Sequence, residues 1–403
     1  VRVDQDVSKA VPVGAGVVCA LVGFTSSFAV VLAGLRAAGA DQAQAASGLM
    51  AVTLAMGAAS VLLSWRFRMP ITCAWSTPGA ALLVSTGAAA GGWPAAVGAF
   101  AVTAMLLLAT GLWPALARAV ARIPHAVAQA MLAGVLLPLC IAPVTALAGD
   151  PVVIAPVLVV WLIVSVTRPR WAVPAAFGVA LVVLAVTLVR DHAVPAASSW
   201  IPDLQATAPS FTVAALVGVA LPLYIVTMAA QNIPGVAVMA GFGYHVPWRP
   251  ALTVTAVASL LATPFGGHAV NLAAISAALA AGPDADPNPR RRWIAGVTTG
   301  AAYCALGLAS TGLTAVVLAA PAGLVQAVAG VALLGAFANA CAGAMADQAT
   351  RLPAAVTLVV AASGATVAGV GAAFWALVTG VVVYKLVARN HVRRNEVSAD
   401  SDD

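Results

Sequence analysis

The sequence predicts an all-α integral membrane protein of 14 transmembrane segments, arranged as a 7+7 inverted repeat with short extended strands preceding half-helices in the third and tenth segments. Three observations predict it. The chain of 403 residues is 62% hydrophobic and only 8% charged, against about a quarter charged in a soluble globule. Its apolar residues fall into runs of roughly 17 to 25, the length a helix needs to cross a ~30 Å hydrocarbon core. Its two halves resemble one another when overlaid.

Glycine, proline and charge punctuation bound the runs at 14–38, 43–65, 69–87, 94–117, 124–148, 151–167 and 171–190, then 211–240, 249–263, 264–282, 292–312, 324–346, 354–370 and 372–388. With both termini in the cytoplasm, every Lys and Arg of the 19 except Arg36 and Arg190 lies on the cytoplasmic side. Such basic loops set orientation, and one missed span would invert every later loop. The Pro-, Ser- and Ala-rich stretch 191–210 reads as a periplasmic linker between a first repeat, 12–190, and a second, 211–390.

In the overlay, Pro70 falls on Pro264 and Thr77 on Asn271, and the Pro124 and Gln129 pair falls on Pro321 and Gln326. Each half holds an odd number of spans, so equivalent elements run antiparallel. Inverted repeats of this kind suit alternating access, because the two halves can exchange conformations of similar energy.

The third and tenth spans open alike, with a proline and then poor helix formers, Ile71 to Ser76 and Phe265 to Val270. Thr77-Pro78 reads as a helix start, with Thr77 as N-cap and proline where its missing N–H costs nothing. Asn271 is the expected cap in the tenth span. Extended backbone at mid-membrane requires protein or a watery cavity around it. Two half-helix N-termini facing one cavity would offer N–H groups to an anion, above all a carboxylate. The competing reading is two ordinary helices that begin late. On the first reading Ser76, Thr77, Gly79 and Ala273 line the site, with the backbone N–H groups of Gly79 and Ala273 holding the carboxylate.

Gln231-Asn232-Ile233-Pro234-Gly235 places amides and a helix breaker in the eighth span, and its repeat partner is Ser26-Ser27. These side chains suit either substrate contact or bonds between packed helices. His268 is the histidine that falls inside a span; it suits a proton carrier, a ligand contact or a structural donor. All 13 acids map to termini, loops or span ends, so a proton crossing the membrane would ride on His268 or on the substrate's own carboxylate. Gln129 and Gln326 suit helix ends, and the glycines from Gly364 to Gly371 suit close packing or a span boundary.

Other classes find little support. Cysteines Cys19, Cys73, Cys140, Cys304 and Cys341 show no ligand spacing, so neither a metal nor a cofactor is expected. The net charge of +6 is scattered between apolar runs, which argues against nucleic acid as a partner. The polar N-terminus leads into a run too long for a signal peptide. No phosphate loop or nucleophile elbow is present, so an enzyme ranks below a carrier or an anion channel. A homodimer is compatible with the sequence, which does not fix the oligomeric state.

Ala74-Trp75-Ser76-Thr77-Pro78-Gly79-Ala80-Ala81-Leu82-Leu83, Gln231 to Gly235 and Thr263-Pro264-Phe265-Gly266 resemble the BenE family of bacterial benzoate/proton symporters, and the likeness runs from residue 12 to 390. That family is similar in fold to the uracil and purine permeases and to the sulfate and bicarbonate carriers. The resemblance implies a core domain (12–117 plus 211–312), a gate domain (118–190 plus 313–390) and substrate held between the third and tenth half-helices. It also implies proton-coupled import of a small aromatic carboxylate across the bacterial inner membrane. In nucleobase carriers of this fold the eighth and tenth spans supply acids; Gln231-Asn232 and His268-Asn271 stand there in this sequence. A nucleobase or an inorganic anion remains the alternative solute.

Overall fold

The computed structural model describes residues 10–399 apart from 89–90, 114, 117, 119–121, 191–202, 319, 322 and 368–369. Most of the linker expected at 191–210 therefore lies outside the described residues. The chain is overwhelmingly helical. Among the described residues, eight helices are long and apolar enough to cross a membrane, and shorter apolar helices accompany them.

In order, the elements are α1 (Ala10–Thr25), α2 (Phe28–Ala37), α3 (Gln42–Phe67), β1 (Cys73–Trp75), α4 (Thr77–Thr86), α5 (Gly92–Leu112), α6 (His125–Gly149), α7 (Pro151–Thr167) and α8 (Ala172–Arg190). The second half holds α9 (Val213–Gly241), α10 (Trp248–Ala262), β2 (Val270–Leu272), α11 (Ile275–Ala281), α12 (Trp293–Leu318), α13 (Leu324–Met345), α14 (Arg351–Ala362) and α15 (Ala372–Ala399). The apolar run 354–370 is shorter as a helix than its composition suggests. α14 ends at Ala362, and Gly364, at φ +63°, adopts a conformation that glycine takes without steric cost.

Local chemistry explains the boundaries. Asp41 and Gln44 form a reciprocal capping box at the start of α3, satisfying two N–H groups that the helix cannot. α3 ends in Arg68, at φ +52°, two residues before Pro70, whose ring disfavours helix at Met69. The Arg68 guanidinium then lies 4.0 Å from the Trp293 ring centre. Asp150 caps α7 through the Val153 N–H, with proline in the first turn.

α9 is continuous where a Pro-Gly break was expected. It contains two π turns, Leu216–Ala220 and Met228–Asn232, each ending just ahead of a proline, Pro222 or Pro234. A proline ring clashes with the carbonyl four residues back and gives it no donor. Here those carbonyls belong to Gly218 and Ala230, both within the widened turns. The chain absorbs each proline by widening one turn instead of ending the helix.

The tightest packing joins α3 to α12, where glycine brings backbone against backbone. A Cβ placed on Gly57 would meet Gly300 O at 2.7 Å, and one on Gly300 would meet Gly57 O at 2.5 Å. Small residues at helix interfaces are how membrane helices gain contact without a hydrophobic driving force. α1 also packs on α12, α5 on α10 and α2 on α4, while α6 packs on α13 and α14.

Candidate functional site

β1 and β2 meet as an antiparallel pair, with Cys73 opposite Leu272, Ala74 opposite Asn271 and Trp75 opposite Val270. The ladder extends one step each way, through Ser76 N–H to Ala269 O and Ala273 N–H to Thr72 O, both 3.0 Å. The alternation of such a ladder sends the N–H groups of Cys73, Trp75, Val270 and Leu272 to its outer edges. Neighbouring helices receive three of them. Ser60 of α3 accepts from Cys73 at 2.8 Å, Ser259 of α10 from Val270 at 2.8 Å, and Asn232 of α9 from Leu272 at 2.9 Å. Ser60 and Ser259 each also donate to their own helix carbonyl four residues back, at 2.8 Å, so each hydroxyl both gives and takes. The Trp75 N–H has no such acceptor among the described residues.

Alternation along a strand also sorts the side chains. Thr72, Ala74, Ser76 and Asn271 share one face of the pair, and Cys73, Trp75, Val270 and Leu272 share the other. On the first face Ser76 Oγ lies 2.8 Å from Thr227 Oγ1 of α9, and Thr72 Oγ1 lies 3.1 Å from Ser276 Oγ of α11. On the second, Trp75 Nε1 donates to Ser27 Oγ at 2.8 Å, tying β1 to the short break between α1 and α2. Trp75, Phe24 and Phe28 stack in sequence behind it, with ring centres 5.4 and 5.2 Å apart.

Several expectations need correcting. Ser76, not Thr77, caps α4, its Oγ accepting from Gly79 N–H at 3.2 Å. Asn271 caps nothing: it lies in β2, and α11 begins at Ile275 after Ala274. The tenth span spends extra residues on a 3-10 turn, Thr263–Phe265, and on Gly266 at φ +91°, so Asn271 occupies a strand position and not a helix start like that of Thr77. The N–H groups of Gly79 and Ala273, expected to face a ligand, are engaged by Ser76 Oγ and Thr72 O.

The other expected residues also gather around the pair. Asn232 is fully buried and its Oδ1 is occupied by Leu272, so it serves the framework. Ser26 and Ser27 bond Gly23 O at 3.0 and 3.3 Å, closing the turn between α1 and α2. Thr77 and Gln231 are half-buried and make no side-chain hydrogen bond among the described residues. His268 Nε2 donates to Ser76 O at 3.1 Å, linking the second strand to the start of α4. Among the described residues its Nδ1 is buried without a partner, as is Asn271 Oδ1, while Asn271 Nδ2 donates to Leu272 O at 2.9 Å. A protonated His268 would need an acceptor at Nδ1, and none faces it among the described residues.

Gln129 meets His125 one turn away on α6, apart from this cluster. The five cysteines are free thiols, and no group of His, Cys, Asp and Glu with metal-binding potential occurs among the described residues. Residues that the sequence did not single out are Thr72, Ser60, Ser259, Thr227 and Ser276. For Ser60 and Ser259 the signal is a hydroxyl recurring every four residues, Ser60 and Ser64 in α3, and Thr255 and Ser259 in α10 with Thr263 just after it; Thr72, Thr227 and Ser276 carry no such helical pattern.

Two short antiparallel strands, each leading into a short helix, meet at a buried polar cluster inside a bundle of apolar helices, an arrangement of the kind that membrane transporters use. Over 94% of its length the chain superposes on 96% of the transmembrane domain of a cyanobacterial bicarbonate transporter, BicA, with a TM-score of 0.58 at 14% identity. That likeness speaks to fold alone. The family model described as benzoate membrane transport protein, BenE, matches residues 6–386, and the chain belongs to the BenE family. It is 38% identical over 371 residues to the inner membrane protein YdcO of Escherichia coli K12, covering 92% of this chain and 94% of that one. It is 29% identical over 380 residues to a benzoate membrane transport protein of Acinetobacter baylyi, covering 93% and 94% of the two chains.

Proposed function

We propose that the chain is a proton-coupled importer of a small aromatic carboxylate of the benzoate type, working by alternating access from the bacterial inner membrane. In this reading the helices form fourteen spans in two inverted sets of seven, with both termini cytoplasmic. The core domain comprises 12–117 and 211–312, and the gate domain comprises 118–190 and 313–390. The name of the Acinetobacter relative supports the substrate class.

The observation that carries the reading is Asn271 Oδ1, buried at the strand crossing with no donor to satisfy it among the described residues. A buried unmet acceptor is costly. A carboxylic acid carrying its own proton supplies the missing O–H. Thr77 and Gln231, half-buried and with uncommitted side chains, supply donors for the acid's other oxygen. Ser76, Asn232, His268, Ser26, Ser27, Gly79 and Ala273 hold the crossing in place. The proton then travels on the substrate, and no fixed carboxylate is needed in the membrane. An ordinary carboxyl pKa near 4.3 keeps the acid form available under an inward proton gradient.

Radiolabelled benzoate uptake into proteoliposomes under an inward proton gradient tests this. Uptake is expected to exceed that of protein-free vesicles, to saturate, and to collapse when the gradient is dissipated. Equality with protein-free vesicles would overturn the reading. Asn271→Ala and Gln231→Ala each remove one hydrogen bond to the acid, worth about 0.5–1.5 kcal/mol, and Asn271→Ala also removes the bond to Leu272 O; each is expected to weaken benzoate binding several-fold with folding intact. Wild-type affinity in both variants would remove the placement.

A further inference from the structure

We infer that this structure is the inward-facing form of the carrier, and that the contact of Thr86 with Gly371 is its outer gate. The inference rests on the repeat proposed above, because it compares elements that the repeat makes equivalent: α2 with the second half of α9, Ile233–Gly241, and α4 with α11.

These equivalents are packed unequally. In α2, residues Phe28 to Leu32, Gly34 and Leu35 are buried, and the helix packs on α13 of the gate domain. In the second half of α9 only Gly235 and Met239 are buried. Ile233, Ala237, Ala240 and Gly241 are exposed along one helical face, and this half packs on α11 and on the π turn before it. α4 likewise packs on the gate helices α6 and α15, whereas α11 packs on α1, α12 and the second half of α9. In the proposed topology α2 and α4 form the periplasmic half of the core, and α11 and the second half of α9 form its cytoplasmic half. The periplasmic half is therefore shut against the gate and the cytoplasmic half is parted from it.

The shut seam is built at close quarters. A Cβ on Gly371, at the start of α15, would meet Thr86 Cγ2 at 3.0 Å, Oγ1 at 3.4 Å and Cβ at 3.5 Å at the end of α4. Beside it, a Cβ on Gly218 of α9 would stand 3.5 Å from Val370 Cα. Side chains larger than these would prop the seam open. Along α2 the seam is apolar, with a small gap of about 20 Å³ bounded by Ala29, Phe177, Leu184, Leu324 and Val328, and the Phe28 and Phe177 rings meet edge to face at 5.8 Å. Among the described residues no side-chain hydrogen bond or ion pair crosses this seam, so separation there costs apolar contact alone.

The Cβ separation at Thr86 and Gly371 falls within the range that a disulfide spans. The paired substitution Thr86→Cys with Gly371→Cys is therefore expected to cross-link under copper phenanthroline, as read by peptide mass mapping. It should cut benzoate uptake at least tenfold, with recovery on reduction. A third substitution, Ala237→Cys, reports the opposite face without any substrate: a membrane-impermeant maleimide should label it from the cytoplasmic side as fast in the cross-linked protein as in the reduced one. Failure to cross-link, full uptake when cross-linked, or protection of Ala237→Cys in the cross-linked protein would each overturn the assignment. If unmodified protein carries no benzoate, the substrate reading fails, while cross-linking and labelling still decide the gate.

Discussion

Replacing Asn232 with leucine, which keeps the number and branching of the side-chain heavy atoms, is expected to impair transport severely. Asn232 Oδ1 is the acceptor for the Leu272 N–H at 2.9 Å, at the outer edge of a two-stranded pair with no third strand to take over. Leucine leaves that buried N–H without a partner, at a cost of about 1–3 kcal/mol, and no water reaches a fully buried position to compensate. The second strand then has reason to slip or twist, which moves Asn271, one residue away, out of register with Ala74. A misplacement on that scale at a binding centre costs far more in rate than in stability. The expectation is uptake at least roughly tenfold below wild type, the equivalent of about 1.4 kcal/mol, together with a lower apparent Tm in detergent. Wild-type uptake and Tm would show that the α9 amide does not hold the strand.

Gly300→Val is expected to have the largest effect on folding. The valine Cβ would lie 2.5 Å from Gly57 O and 2.8 Å from Val61 N, and both of those are backbone atoms that cannot swing aside. Relief requires α3 and α12 to separate along a contact that carries Ser60 and Ser64, the hydroxyls that satisfy Cys73 N–H and Ile71 O. Overpacking of this kind costs about 1–3 kcal/mol before those hydrogen bonds are counted. The variant should be recovered mainly as aggregate in size-exclusion chromatography. Gly14→Ala is the matched control, because nothing lies within 4 Å of the added Cβ, and it should elute as wild type does.

The helices and the special character of residues 70–86 and 264–281 were legible because their signals are local. Runs of apolar residues, prolines that end helices and a Thr-Pro start each act within a few residues. The register of the second crossing was not legible. Pro264 matches Pro70 in sequence, but the 3-10 turn at Thr263–Phe265 and the left-handed Gly266 consume residues that the first crossing spends on strand. Asn271 therefore sits within β2 and not at a helix cap, a difference that depends on how a turn closes and leaves no trace in composition. The roles of Ser60 and Ser259 were hidden for another reason. A serine in an apolar helix ordinarily bonds its own carbonyl four residues back, and these two do so. Only the strand packed against them reveals that the same oxygen also accepts an N–H. Asn232 and Gln231 are adjacent and chemically alike, yet one is spent on the framework and the other is uncommitted. Neighbouring positions on a helix face different directions, and sequence shows which residues are polar before it shows what they meet.

In the proposed mechanism two extended segments cross in mid-membrane and present Asn271 to a carboxylic acid. A cryo-EM map of the purified protein with bound benzoate tests it most directly. The account predicts extended density at 73–75 and 270–272, with the ligand's carboxyl group within hydrogen-bond distance of the Asn271 side chain and its ring between core and gate. Unbroken helices through 70–86 and 264–281, or benzoate bound away from the crossing, would contradict it.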